Sequence, residues 1–241
     1  MVMRMPGSQA APDSTRSPAA AQEQVRSRFR RKAREFDDLY DDERRLMRLL
    51  RPGLIRRRDL AVATALESAA PRVLDVGCGS GRVGELVLEA NAARYLGIDF
   101  SESMIELARA RLSRFADRAE LVVGEFLESQ LDGPFDVILA LGLFDYLPEP
   151  HRFVRRMHEL AAPGGCVVGS FPTWSLLKGP VRKIRYEWIG HCPIFNYSRR
   201  ELQLMFGAAG FSPVEIRPAG PAGFLVRGYK ASVGARTSTS P

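Results

Sequence analysis

Val73-Leu74-Asp75-Val76-Gly77-Cys78-Gly79-Ser80-Gly81, with Asp99 closing the next apolar run, decides the fold. The first four residues read as a strand, the glycines as a tight turn, and Arg82 to Ala90 as a helix that the turn opens. A side chain in such a turn would hold a ligand off the backbone, and glycine removes that obstacle. The start of a helix also presents N–H groups without intrahelical partners, which suits a polar or anionic ligand group. An acid at position 99 stands where it can accept hydrogen bonds from both hydroxyls of a ribose. The stretch therefore points to a nucleoside-containing cofactor.

Two frames fit these glycines. Gly79-x-Gly81-x-x-Gly84, with Asp99 about 20 residues on, matches the dinucleotide fingerprint. That frame leaves Asp75 inside the buried strand before the first glycine, where an ionised carboxylate is costly. The other frame takes Asp75 as the last strand residue, turned toward the ligand, with Gly77, Gly79 and Gly81 as the loop. The resulting Asp-x-Gly-x-Gly-x-Gly resembles motif I of the class I S-adenosylmethionine-dependent methyltransferases, small-molecule type. Tyr95-Leu96-Gly97-Ile98-Asp99-Phe100-Ser101-Glu102-Ser103-Met104 resembles that family's second strand and its ribose-binding acid. Val122 to Phe126 resembles the adenine-contacting segment, with Glu125 where the family often has Asp. Phe135 to Leu147 resembles the fourth strand and the turn after it, and Pro163-Gly164-Gly165 the entry to the fifth. The likeness runs from about Pro71 to Phe171.

The resemblance implies an α/β fold: a Rossmann-like seven-stranded sheet, mostly parallel with an antiparallel C-terminal hairpin, and helices on both faces. It implies S-adenosyl-L-methionine as cofactor. Asp75 and the backbone of Gly77, Cys78, Gly79, Ser80 and Gly81 would hold the methionine part, and Asp99 the ribose. Phe100, Met104, Glu125 and Phe126 would surround the adenine, with Ala140 and Leu141 lining the cofactor. Tyr146 aligns with a polar position that faces the acceptor in small-molecule members.

Periodicity gives the rest of the layout. Residues 1–24 read as a disordered tail and 25–70 as N-terminal helices, the first with a stripe from Phe29 through Phe36 and Tyr40 to Leu50 that Pro52-Gly53 ends. Residues 71–230 form the methyltransferase domain, and 231–241 a tail. Within the domain, strands are expected at Val73–Val76, Tyr95–Asp99, Glu120–Val123, Asp136–Leu139 and Cys166–Phe171. Helices are expected at Leu54–Ala69, Arg82–Ala90, Ser101–Phe115 and Glu149–Ala162, with the Ser101 and Ser103 hydroxyls as helix starts. Such alternation implies a parallel sheet covered on both faces. Ser198–Ala209 reads as a further helix, and Phe211–Arg217 and Gly223–Tyr229 as a closing hairpin. Residues 172–196 break the pattern and read as a lid insertion. It holds Trp174, Tyr186, Trp188 and Phe195 beside Arg182, Lys183, Arg185 and His191. Aromatic walls with arginines suit an aromatic or anionic small-molecule acceptor. His191 is a candidate general base and Tyr146, beside Asp145, a candidate catalytic residue.

The net charge of +7 lies almost wholly in residues 1–60, where acids interrupt the basic runs, as on a solvated helix face. With no Asn-Pro-Pro-Tyr-type segment after the fourth strand, this argues against a nucleic-acid partner. No apolar run approaches the roughly 20 residues of a membrane span. The start lacks the apolar core of a secretory signal, and the three cysteines form no Cys-x-x-Cys pair, which favours the cytoplasm. No metal is expected at His191-Cys192 or elsewhere. Three functions stay open: methyl transfer to a small molecule, methyl transfer to RNA or protein, and a non-catalytic or NAD-type nucleotide-binding protein.

Overall fold

The structure, a computed structural model, describes residues 52–173, 195–220 and 223–232. The tail at 1–24, the helix expected from Val25 to Leu50, most of the insertion with His191, and the last nine residues lie outside them.

Helix α1 (Pro52–Ala65) precedes strand β1 (Arg72–Val76), helix α2 (Arg82–Glu89), strand β2 (Arg94–Asp99) and helix α3 (Glu102–Arg111). Strand β3 (Ala119–Val123), strand β4 (Phe135–Ala140), helix α4 (Pro150–Leu160) and strand β5 (Ala161–Pro172) follow. Helix α5 (Arg199–Ala208), strand β6 (Val214–Pro218) and strand β7 (Gly223–Tyr229) complete the chain. The seven strands lie in the order β3-β2-β1-β4-β5-β7-β6. β1 to β5 pair in parallel, while β7 runs antiparallel to both β5 and β6. Six strands thus share one direction and β7 opposes them, as the sequence predicts. The order reverses between β1 and β4, and in open sheets of this kind a ligand crevice forms there, outside the strands' carboxyl ends.

Alternation along each strand divides the side chains between two cores. Val73, Tyr95, Val137, Leu139 and Val168 pack with Ala61, Val87, Leu88 and Ile105 from α1, α2 and α3. Leu74, Val76, Ile138 and Val167 pack on the other face with Val154, Met157, Leu202 and Phe206 from α4 and α5. Asp75 shares the α1–α3 face with Val73, and Gly97 and Asp99 share it with Tyr95.

Several boundaries differ from expectation. Pro52 opens α1 rather than preceding it; a first-turn proline gives up no N–H that the helix needs. The helix expected over Ser101–Phe115 stops at Arg111, and a 3₁₀ turn covers Ser113–Phe115. Ser101 holds the N-cap position, but its hydroxyl does not cap; it pairs with the Ser103 hydroxyl at 3.0 Å. β5 follows α4 directly at Ala161, which pairs with Phe135 across a register shift. β6 begins only at Val214, because Phe211 turns into the core beside Phe206. Helix α5 carries a full capping box: Glu201 N–H donates to the Ser198 hydroxyl, and Ser198 N–H to the Glu201 carboxylate.

Candidate functional site

The turn after β1 is wound tightly onto the end of β2. Gly77 and Cys78 N–H both donate to the Ile98 carbonyl, at 2.8 and 3.1 Å, and Gly81 N–H to the Cys78 carbonyl. Gly79 N–H donates to Asp99 Oδ2 at 3.0 Å, and Ser101 N–H to Asp99 Oδ1 at 2.9 Å. Arg111 of α3 donates to the Ser80 carbonyl. These bonds hold the turn in shape. Gly79 has a φ of +53°, and a Cβ there would meet nothing within 4 Å, so the turn borders open space at that point. Gly81 instead clears α3: its Cβ would lie 3.1 Å from that of Ala108.

Beneath the turn lies a buried polar cluster. Asp75 is not the last strand residue, since β1 runs on to Val76. Its side chain is 2% exposed and accepts the Tyr95 hydroxyl at Oδ2, 2.9 Å away. Burial pushes Asp75 up to about 7; the Tyr95 hydrogen bond pulls it down, and the charge of Asp99 pushes it up. Burial also holds the Tyr95 hydroxyl and the Cys78 thiol protonated, well above their ordinary ranges. Asp99 is 9% exposed and is raised by burial, with the Ser101 and Gly79 amides opposing. Gly84 fits against Tyr95: a Cβ there would lie 2.5 Å from the ring's Cζ. The third glycine of the dinucleotide frame thus serves helix–strand packing.

The remaining predicted residues gather at the same edge of the sheet, in different settings. Phe100 and Glu125 are half-buried, and Gly124 N–H donates to the Asp99 carbonyl, which brings the end of β3 to the end of β2. Met104 is buried in the first turn of α3. Phe126 is buried in the core, its ring 5.6 Å from that of Phe153. Ala140 ends β4 fully buried, and Leu141 is half-buried beyond it.

Tyr146 lies half-buried on the turn after β4, where its N–H donates to the Leu143 carbonyl. Helix α4 begins beyond this turn, at Pro150. The backbone of this turn is tied to its neighbours. Gly142 N–H donates to the buried Ser170 hydroxyl at 2.8 Å, Phe195 N–H to the Asp145 carbonyl, and the Tyr197 hydroxyl to the Phe144 carbonyl. Under it, the Phe144 ring stacks on Phe171 at 4.0 Å, and Phe171 meets Tyr197 and Phe206 edge-on. Sequence reasoning passed over Tyr95 and Ser170. Two glycines, Gly84 and Gly97, bracketing a strand tyrosine were the available signal for the first.

A sheet ordered in this way, with β7 reversed between β5 and β6, a glycine turn after β1 and an acid ending β2, defines the class I S-adenosylmethionine-dependent methyltransferase fold. Residues 74–167 match the family model described as a methyltransferase domain. A ubiquinone biosynthesis O-methyltransferase from Pseudomonas aeruginosa (strain LESB58) is 33% identical over 101 residues, 41% of this chain and 43% of its own. The chain thus spans less than half the length of the curated relatives it matches. Magnesium protoporphyrin IX methyltransferase from Synechocystis PCC 6803, solved with bound SAH, superposes with a TM-score of 0.71 at 19% identity, over 88% of this chain and all of that one. The 1,6-didemethyltoxoflavin-N1-methyltransferase of Burkholderia thailandensis gives 0.70 at 20% identity, over 93% and 94%. At such identities these likenesses establish the fold. Among the described residues no helix is long and apolar enough to cross a membrane.

Proposed function

We propose that this chain is an S-adenosyl-L-methionine-dependent methyltransferase with a small-molecule acceptor, methylating an oxygen on an aromatic or anionic molecule. The observation that carries the proposal is the pairing of the open turn at Gly79 with Asp99. The turn has room where a Cβ would stand, and each Asp99 oxygen keeps a second lone pair for a ribose hydroxyl beside the amide it already accepts. Strand order counts against the dinucleotide reading, because the dinucleotide fold runs 3-2-1-4-5-6 without a reversed strand.

In this proposal residues 71–230 are the catalytic unit, 172–196 its insertion, and the setting is the cytoplasm. Asp75, Gly77, Cys78, Gly79 and Gly81 hold the amino-acid end, and Asp99 the ribose. Phe100, Met104 and Glu125 flank the adenine, and Ala140 and Leu141 close the inner wall. When bound, the cofactor supplies a methyl group on a positively charged sulfur. The chain's own task is to orient the acceptor in line and shield it from water. Tyr146 orients the acceptor from the turn after β4. His191 takes the proton when the acceptor arrives as a phenol or hydroxyl. Acceptor preference is assigned by analogy with the O-methyltransferase relatives.

Calorimetry with S-adenosylhomocysteine and with NAD tests the proposal. The first should bind and the second should not, and Asp99→Ala should weaken S-adenosylhomocysteine about a hundredfold through two lost charge-assisted hydrogen bonds. Binding of NAD without S-adenosylhomocysteine would overturn it.

A further inference from the structure

We infer that Tyr95 is a positioning residue of the nucleoside site, whose hydroxyl favours the anionic form of the buried Asp75 carboxylate and thereby sets the pH at which ligand binding is lost. The inference rests on the proposed S-adenosylmethionine site, because it assigns the ligand's amino-acid ammonium as the cation that meets Asp75.

The geometry leaves the Tyr95 hydroxyl little choice. Its ring is wedged between two glycines: a Cβ on Gly84 would lie 2.5 Å from Cζ and 2.8 Å from the hydroxyl, and one on Gly97 would lie 3.0 Å from Cε1. The ring fills the space that the two glycines leave, and its hydroxyl donates to Asp75 Oδ2 at 2.9 Å, with the Cys78 thiol as its other side-chain neighbour. Oδ1 is then the oxygen that a ligand cation would meet.

The surroundings withhold any other countercharge. Among the described residues no cation pairs with Asp75. From β2 the polar groups on its face are Tyr95 and Asp99, and from the turn, Cys78. β4 presents Leu139, and α3 presents Ile105. The acids of α2 are turned away, Glu85 toward Arg111 and Arg114, and Glu89 toward Arg114. On α1, Arg58 is bound to Asp59. A carboxylate desolvated to this degree protonates unless something supplies a donor or a cation. Tyr95 supplies the donor, and its own raised pKa keeps it a donor throughout the working range.

The sign follows from these contacts. With Asp75 raised to about 7 by burial, the anion is lost as the pH falls through neutrality, and affinity for a cationic group falls with it. The Tyr95 hydrogen bond pulls that titration downward, so its removal moves the loss of affinity to higher pH.

Calorimetric titration of S-adenosylhomocysteine at pH 6, 7 and 8 tests this, using the full chain, Tyr95→Phe and Asp75→Asn. The parent protein should bind about tenfold more weakly at pH 6 than at pH 8, the change expected when one ionised group is required. Tyr95→Phe should bind about tenfold more weakly than the parent at pH 7, with the gap narrowing as pH rises. Asp75→Asn should bind weakly with no pH response, and it carries the test by itself if Tyr95→Phe melts early. A parent protein that binds equally at all three pH values, or a Tyr95→Phe penalty that is constant across them, overturns the inference and leaves the cofactor assignment standing. Failure of the parent to bind S-adenosylhomocysteine at any pH overturns both.

Discussion

Under the turn after β1 the fold buries Asp75, Tyr95, Cys78 and Asp99, while under the turn after β4 it buries Phe144, Phe171, Phe206 and Phe211. The first group is polar and short of volume. Its closest approaches are allowed by missing side chains at Gly84 and Gly97 and locked by hydrogen bonds of 2.9–3.0 Å. The second is a run of rings 4.0–5.7 Å apart, held by area and shape. Buried polar groups cost free energy that the aromatic end recovers elsewhere in the same sheet. The comparison teaches that one half of the carboxyl edge is fixed point by point through directional bonds, and the other is held by packed aromatic area beneath its turn.

Substitutions can break that division. Phe171→Ala removes a ring that touches Phe144, Tyr197 and Phe206, and should cost about 3–5 kcal/mol in urea or thermal unfolding. S-adenosylhomocysteine affinity should hardly move in whatever fraction stays folded. A hundredfold loss of affinity with unchanged stability would show that the aromatic half is part of the nucleoside site. Gly84→Ala drives a methyl against the Tyr95 ring and should cost about 1–3 kcal/mol. Here both readouts should fall together, since the displaced ring carries the hydroxyl that Asp75 needs. Ser198→Ala removes one arm of the α5 capping box and should cost about 1 kcal/mol, seen as a lower Tm with ligand affinity intact.

How far the residues announced this architecture differs by the range of the contacts involved. The strands follow from local signals, apolar runs at β1, β2 and β4 with helical spacing between them, whereas their order in the sheet is seen only in the fold. The glycine turn and Asp99 are equally local, so the nucleoside half of the site is visible from a dozen residues. What escaped depends on partners that only the fold brings together. The Ser101 hydroxyl pairs sideways with Ser103 instead of capping α3, and the Met104 amide it would have capped donates to the Ser101 carbonyl. Asp75 reads as ligand-facing from its place before the glycines, yet the Tyr95 hydroxyl, on the neighbouring strand, claims one of its oxygens. Phe126 reads as an adenine contact from its position after β3, and its packing against Phe153 on α4 is visible only in the fold. The early start of β5 at Ala161 likewise hangs on Phe135, which no local pattern connects to it.

The bond from Tyr197 N–H to the Pro172 carbonyl, 2.9 Å long, closes the chain on itself where β5 ends. Phe195 N–H, two residues earlier, donates to the Asp145 carbonyl, so the end of β5, the turn after β4 and the run into α5 are fastened together at one corner. A corner fastened by main-chain atoms tolerates replacement of the Phe195 side chain by any residue that keeps an amide donor, and proline is the one substitution that would undo it.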